Sequence, residues 1–321
     1  MSELEEYQKK FEAVKSEVEK VVVGYEEIVE DFLICLLTGG HLLLEGVPGI
    51  AKTTLIKAFT RTMGLEYERI QFTQDMLPAD IIGHYYFDQK TSSFELRKGP
   101  IFAQVVMADE INRAPPKTQS ALIEAMQERQ VTIEGTTIEL PEPFFVIATK
   151  NPIETEGVYP LPEAQLDRFM IKADMTYLPS DQELDMLKMK NRGNDDEVGV
   201  NSLGKDFGLQ LYKIHEKVHV SKEILEYIRN IVIKTRSIED LALGASPRAG
   251  EHMLYASKAM ALIEGRDYVI PDDVKKISRK VLPHRLLLTV DAELEDIRTI
   301  DIVNQILEEG VEAPKGKFSK D

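Results

Sequence analysis

The chain has 321 residues, of which 43% are hydrophobic and 29% charged, and its formal net charge is -16 at pH 7. This length allows a large domain and a smaller second one. The negative charge disfavours a protein whose main task is binding nucleic acid, which takes a dense basic surface; acidity that only maintains solubility is an alternative explanation. The single cysteine, Cys35, excludes a disulfide bond within the chain.

Neither a membrane span nor a secretion signal is predicted. The apolar runs are all shorter than the roughly 20 residues that a membrane helix needs. Residues 1–6 are acidic, whereas the first residues of a signal peptide are basic. The sequence therefore predicts a cytoplasmic location.

The first half of the chain begins with helices and continues as alternating strands and helices. Phe11, Val14 and Val18 recur at helical spacing, and a second apolar helix is predicted to end at Gly39-Gly40. Short apolar strands then alternate with helical stretches up to residue 178, which predicts a parallel sheet with helices on both faces. The five predicted strands are His41–Glu45, Tyr67–Gln71, Val105–Asp109, Phe144–Thr149 and Phe169–Ala173.

The second half is predicted to be helical, with a polar connection near residues 191–201 and a mobile tail rich in Gly, Pro and charge. The fold class is therefore α/β, with a second, smaller domain of helices. The predicted division has four parts: N-terminal helices and the α/β core at 1–180, a linker helix and polar connection at 181–215, a helical domain at 216–290, and a C-terminal helix and tail at 291–321.

A loop that follows the first predicted strand has the composition of a phosphate-binding loop. Backbone N–H groups at a helix N-terminus bind phosphate oxygens, Lys52 can reach the β- and γ-phosphates, and the Thr53 hydroxyl can ligate Mg²⁺. Ala51 departs from the general pattern, which has glycine there; a surface Lys-Thr pair after a turn is the alternative. The predicted ATP-binding residues are Gly46, Val47, Pro48, Gly49, Ile50, Ala51, Lys52, Thr53, Thr54 and Asp109.

Two other predicted strands end in polar residues. Asp109 and Glu110 follow an apolar run, so Asp109 is predicted to hold Mg²⁺ and Glu110 to orient or deprotonate the attacking water. Asn151 follows the next strand of the core and is predicted to contact the γ-phosphate or to position that water, because the carboxyl ends of parallel strands share one edge. The alternatives are solvated acidic residues and an ordinary Asn-Pro turn.

Two arginines stand at the ends of predicted elements. Arg168 lies just before the last strand, and Arg248 lies at the start of a helix with Pro247 in its first position. Taken by itself, each arginine is better explained as an ordinary surface charge.

Several blocks of the chain resemble the MoxR family of AAA+ ATPases, of the helix-2-insert clade. The resemblance runs from about residue 20 to residue 290, and the phosphate loop is similar to that of the family even at Ala51. Lys150 departs from the family, whose members commonly carry glutamine there. The most similar blocks are residues 46–53, 108–122, 124–132 and 151–169.

The resemblance implies a P-loop core, a helical lid and a role for each polar residue. The loop would be Walker A, and Asp109 and Glu110 would be Walker B. Asn151 would be sensor 1, Arg168 an arginine finger that acts on the neighbouring subunit's ATP, and Arg248 sensor 2, reaching down from the lid. Such a finger contributes a factor of about 10³ or more, and head-to-tail contacts that close by rotation imply a ring, with six subunits by resemblance.

The resemblance also implies a function, a MoxR-type ATPase that binds and hydrolyses ATP with Mg²⁺ and remodels or activates partner proteins, such as one with a von Willebrand factor A domain. The alternative is the ATPase motor of a metal-insertion complex similar to magnesium chelatase. A nucleic-acid translocase is disfavoured by the acidity, and a non-motor nucleotide switch by Glu110 and Arg168.

Two hairpins are predicted to carry the contacts with a client. One spans residues 84–96 and contains four aromatic side chains, and the other spans residues 131–140 about Gly135. They look like the helix-2 insert and the pre-sensor-1 hairpin of the clade. Packing of their apolar residues on the core is the alternative.

Overall fold

The computed structural model describes residues 3–152, 157–191, 200–316 and 318–319. Its helices are α1 (Glu3–Glu19), α2 (Glu26–Thr38), α3 (Lys52–Met63), α4 (Pro78–Ile82), α5 (Pro116–Glu128), α6 (Glu163–Leu166), α7 (Ser180–Asn191), α8 (Phe207–Leu211), α9 (Lys222–Thr235), α10 (Pro247–Ile263), α11 (Pro271–Val281), α12 (Val290–Leu294) and α13 (Thr299–Gln305). Its strands are β1 (Leu42–Gly46), β2 (Tyr67–Gln71), β3 (Gly83–Asp88), β4 (Ser93–Lys98), β5 (Val105–Asp109), β6 (Gln130–Ile133), β7 (Thr136–Glu139), β8 (Phe145–Lys150), β9 (Ile171–Met175), β10 (Leu241–Leu243) and β11 (Leu287–Leu288). Shorter helical turns lie at Ile111–Arg113, Ile214–Lys217, Pro283–Arg285 and Ile306–Gly310.

Five parallel strands form the central sheet, in the order β2, β5, β8, β1, β9. Strands β5 and β8 lie inside the sheet and are buried along almost their whole length, which is why they read as unbroken apolar runs. The predicted five-stranded parallel sheet is confirmed, and each strand lies within two residues of its predicted bounds.

Helix α2 joins the sheet to the second domain. It is buried from Ile28 to Leu37, with β1 and β9 on one side and α10 on the other. Gly39 ends the helix with a φ of 67°, a left-handed conformation that suits glycine. Helix α1 packs beside α2 and α3 through Phe11, Val14 and Val18, as the spacing of these residues predicts.

The second domain is helical, as predicted, and the structure adds one short ribbon to it. Leu241 pairs with Leu288 and Leu243 with Leu287 in the antiparallel ribbon β10–β11. Strands of two or three residues are too short for an alternating pattern to show in the sequence. The predicted polar connection near 191–201 falls largely outside the described residues. In the part of the chain that the structure describes, no helix is long and apolar enough to cross a membrane.

Both predicted hairpins are present. In the β3–β4 hairpin, Phe87 and Phe94 pair across the strands with ring centroids 5.4 Å apart, and Phe94 is 72% exposed. Tyr85, by contrast, is partly buried and packs against the core. Packing on the core therefore explains Tyr85, but it does not explain the exposed Phe87 and Phe94. The β6–β7 hairpin turns at Glu134 and Gly135, both with positive φ.

Gly64 offers a test of the packing between the core and the segment before α8. Its φ is +66°, and an added Cβ would overlap the backbone carbonyl oxygen of Gly204. We expect Gly64→Ala to lower the free energy of unfolding by more than about 2 kcal/mol in urea titrations, because left-handed strain and a backbone clash add. Gly135→Ala is the matched control, since its φ is +85° with nothing within 4 Å. Equal losses in the two variants would contradict the clash.

Candidate active site

A cavity of about 680 Å³ lies at the carboxyl ends of the neighbouring strands β5, β8 and β1. Its lining includes residues 48–54 of the loop, together with Asp109, Glu110 and Asn151. The sheet therefore brings together three polar segments that are far apart in the chain, at the edge where ligands of such sheets bind. Gly46 and Val47 stand just before this lining, at the end of β1.

The loop between β1 and α3 has the geometry of an anion site. Gly49 and Ala51 both have positive φ, 83° and 66°, so Ala51 adopts the conformation for which the general pattern uses glycine. Helix α3 starts at Lys52, and the first turn of a helix presents N–H groups that have no partner inside the helix. The Lys52 ammonium group donates to the carbonyls of Gly46 and Val47, the latter at 3.2 Å.

The Asp109 carboxylate is buried and joins three strands. One oxygen accepts the Thr149 hydroxyl from β8 at 2.5 Å. The other accepts both Nη2 and Nε of Arg69, from β2, at 2.6 and 3.1 Å. A cation thus already lies against the carboxylate that the sequence assigns to Mg²⁺.

Glu110 is fixed by three contacts at the rim of the same cavity. Its backbone has a φ of 58°, and its N–H donates to the Thr149 hydroxyl at 2.9 Å. Its carboxylate accepts the Gln71 amide at 2.8 Å and forms an ion pair with Arg113 at 3.1 Å. These contacts set the direction in which the carboxylate points.

Sequence reasoning missed these supporting residues, although a signal for two of them exists. Arg69 and Gln71 occupy alternate positions at the end of β2, and that strand borders β5. Any polar side chain at the carboxyl end of a core strand was therefore a candidate for the site. Arg69 and Gln71 can reach Asp109 and Glu110 only because β2 pairs with β5, and the order of the strands along the chain does not reveal this pairing.

Much of the rest of the cavity lining is apolar, and the sequence did not predict it. It includes residues 21–23 and Tyr25, which the sequence showed only as a break between helices. Tyr177 and Leu178 complete it with one face of α7. Apolar walls beside a few polar groups are typical of small-molecule sites.

Lys150, the departure from the family pattern, lies on the sheet rather than in the cavity lining. Its ammonium group bonds to Glu45 at 3.1 Å, and Lys172 contacts the other oxygen of that carboxylate at 2.8 Å. Although burial raises the pKa of Glu45, the two lysines together hold it below its ordinary value. Lys150 therefore belongs to an ion network across β8, β1 and β9.

The two arginines singled out in the sequence, Arg168 and Arg248, do not line the cavity beside the loop. Arg168 and Arg248 line a separate cavity of about 230 Å³, together with residues 38–41, which precede β1. Arg248 bonds to Asp167 at 3.0 Å. Because Arg168 precedes β9, which runs parallel to β1, it lies at the amino edge of the sheet. The five residues of β1 separate this edge from the loop by about 16 Å.

Arg248, which the resemblance presents as sensor 2, therefore does not line the cavity beside the loop of its own chain. The structure places this arginine beside Arg168, at the edge of the sheet opposite the loop. The physical reason is the position of the second domain, which packs on α2 and β9. Neither the spacing of Arg248 in the chain nor its place at a helix start encodes that packing.

Comparisons with known proteins agree with the geometry. Residues 41–171 match the sequence model of the ATPase family associated with various cellular activities (AAA), and residues 233–306 match the sequence model of the AAA lid domain. The chain is 45% identical to the uncharacterized protein YeaC of Bacillus subtilis, over 90% of this chain and 91% of that protein. It is 44% identical to the chaperone MoxR1 of Mycobacterium tuberculosis, over 91% of this chain and 79% of that protein.

A solved structure agrees over the whole fold. The crystal structure of a candidate ATPase from Cytophaga hutchinsonii covers 97% of both chains with a TM-score of 0.89 and 42% identity. Its agreement includes the sheet that carries the loop and the helical domain beside it. With a phosphate loop, an acidic strand end and these relatives, the chain is an ATPase and belongs to the MoxR family of AAA+ ATPases.

Proposed function

We propose that this chain works in the cytoplasm as a ring of six subunits, hydrolyses ATP with Mg²⁺ at its subunit interfaces, and uses the energy to remodel or activate partner proteins. One observation supports the ring above all others. The loop lines a cavity at the carboxyl edge of the sheet, whereas both arginines line a cavity at its amino edge. Head-to-tail contact would bring one edge to the other.

The donor set of the cavity fits Mg²⁺. The Thr53 hydroxyl and the Asp109 carboxylate supply oxygen ligands, the kind that this ion prefers. Among the described residues, no group of three or more His, Cys, Asp or Glu is placed to hold a metal by protein atoms alone. Mg²⁺ commonly binds through one or two carboxylates, substrate phosphates and water. When bound, it would neutralise charge on the phosphate oxygens.

Arg69 supplies a test of this assignment, because its guanidinium already contacts the Asp109 carboxylate at 2.6 Å. We expect Arg69→Met to lower the Mg²⁺ concentration needed for half-maximal ATPase activity by several-fold, since removing a like charge favours a cation nearby. The control is Arg97→Met, on the exposed hairpin strand β4. A Mg²⁺ requirement that stays equal in all three proteins would count against Asp109 as the metal ligand.

The side chains have separate tasks in hydrolysis. Lys52 and the first turn of α3 bind the phosphates, and Glu110 orients the attacking water and accepts its proton. Asn151, at the end of the adjacent strand, contacts the γ-phosphate or that water. Arg168 and Arg248 of the neighbouring subunit stabilise the charge that spreads over the γ-phosphoryl oxygens. Both arginines would thus act in trans.

The client role is tested with a subunit that binds ATP without hydrolysing it. Glu110→Gln protein with ATP should retain a client, for which a von Willebrand factor A domain protein is our first expectation, identified by mass spectrometry. Lys52→Ala is the control, because it cannot hold the phosphates. Recovery of a metal-insertion complex would favour the chelatase-like alternative, and equal recovery with both variants would contradict ATP-dependent remodelling.

A further inference from the structure

A buried arginine of the second domain binds the chain segment that carries Arg168. Arg285 lies in the helical turn after α11, and its side chain is 1% exposed. Residues 167–170 connect α6 to β9 and face this arginine. Burial lowers the pKa of the Arg285 guanidinium to about 10, so the group is charged at neutral pH.

The three guanidinium nitrogens all bond to this segment. Nε donates to the Asp167 carboxylate at 3.0 Å. Nη2 donates to the backbone carbonyls of Asp167 and Phe169, at 3.1 and 2.5 Å, and Nη1 to that of Met170 at 3.3 Å. Nη1 also donates to the carbonyl of Val281, the last residue of α11. The residues on both sides of Arg168 are thereby held by one side chain of another domain.

The Asp167 carboxylate also collects two groups from the start of α10. The Ser246 hydroxyl lies 2.9 and 3.0 Å from its two oxygens, and Arg248 lies 3.0 Å from one of them. A lid residue next to Arg285, His284, contacts the carbonyl of Phe169 at 3.0 Å. The second domain therefore holds the segment from two directions.

Arg168, by contrast, has little to fix its own side chain. Its Nη1 makes a long bond of 3.4 Å to the carbonyl of Ile123. Its buried Nε has no hydrogen-bond partner within the described part of the chain. The direction in which Arg168 points is consequently set by its backbone, which is the part that Arg285 binds.

Stability alone is a weak explanation for such a buried charge. Removing a guanidinium from water costs several kcal/mol, and replacing buried ion pairs by well-packed apolar residues of similar volume is often neutral or stabilising. A planar guanidinium that bonds to three carbonyls and a carboxylate of one segment at once is instead suited to fixing the backbone geometry of that segment. Positioning of the segment accounts for the arginine better than stability does.

We infer that Arg285 is a positioning residue that couples the second domain to Arg168. It holds the backbone of residues 167–170 so that Arg168 projects toward the neighbouring subunit's ATP, and movement of the second domain displaces that arginine. The inference rests on the proposed trans role of Arg168. Catalysis is sensitive to this positioning, since a misplacement of about 1 Å can cost about 10²-fold in rate.

The test uses Arg285→Met, which keeps the bulk of the side chain and removes its donors. We expect kcat for ATP to fall about 10²-fold while KM and ATP affinity stay near wild type, because the variant's own loop is intact. Mixing with Glu110→Gln subunits should restore turnover, since those subunits supply correctly held arginines to intact loops. Arg279→Met, an exposed arginine of α11 that bonds to Asn304, is the control and should stay active.

Two outcomes overturn the inference: wild-type kcat in assembled Arg285→Met, or a loss of activity that Glu110→Gln subunits do not rescue. If Arg285→Met does not fold, Arg285→Lys and Asp167→Asn are judged by the same criteria. A mixture of Arg168→Ala and Glu110→Gln subunits distinguishes a failure of this inference from a failure of the proposed trans role. If that mixture recovers activity but a mixture of Arg285→Met and Glu110→Gln does not, only the coupling through Arg285 is overturned. If neither mixture recovers activity, the trans role is overturned and the inference with it.

Discussion

Replacing Glu110 by glutamine should leave ATP bound and almost unhydrolysed. We expect kcat to fall by about 10² to 10⁴-fold, because the amide has nearly the same shape as the carboxylate but cannot accept the proton of the attacking water. ATP affinity should stay within a few-fold of wild type, since the loop from Gly46 to Thr53 is untouched. Phosphate release measures the first quantity, and isothermal calorimetry measures the second.

The position of Glu110 explains why the effect should be large. Its carboxylate is directed by Gln71 and Arg113 at the rim of the cavity, beside Asp109. Glu68→Gln, on an exposed position of β2, is the control for loss of a carboxylate in the same domain. Turnover of Glu110→Gln at the rate of that control would remove Glu110 from the mechanism.

The second large effect is expected for Arg168→Ala. Loss of an arginine finger costs about 10³-fold or more in kcat, and ATP binding to the variant's own loop should persist because Arg168 lies at the opposite edge of the sheet. Assembly and ATP affinity are measured alongside turnover. Arg279→Ala serves as the control, since Arg279 is exposed and lies outside both cavities.

A mixture of two inactive variants distinguishes action in trans from action in cis. In an equimolar mixture of Arg168→Ala and Glu110→Gln, a site works when its own subunit has Glu110 and the neighbouring subunit has Arg168. In a randomly mixed ring each condition is met for about half of the sites. If the sites are independent, about a quarter of wild-type turnover should therefore be recovered. An arginine that acts in cis would give no recovery, because each subunit would still lack one group.

Much of the core was predictable because its signals are local. The strand from Val105 to Asp109 has its predicted bounds, since a strand buried inside a parallel sheet is a continuous apolar run. The loop between β1 and α3 was predictable because its signal is local too. Backbone N–H groups, Lys52 and Thr53 must be neighbours in the chain to meet one triphosphate.

The supports of the site were not predictable in the same way. Arg69 and Gln71 contact Asp109 and Glu110 only because β2 lies beside β5. Arg285 lies 115 residues or more from the carbonyls and the carboxylate that it binds in the segment at 167–170. Such contacts depend on strand order and domain packing, and no short-range pattern in the sequence reports either.

The sequence by itself determined which groups are candidates for the chemistry of this protein: the loop from Gly46 to Thr53, two carboxylates at a strand end, and two arginines. Only the tertiary structure decided where the two arginines lie relative to the loop. A residue that precedes a strand of a parallel sheet lies at the edge opposite a loop that follows a strand, so the length of β1, about 16 Å, separates the edge that carries Arg168 from the loop. The packing of the second domain on β9 then places Arg248 and Arg285 beside Arg168 instead of beside the loop.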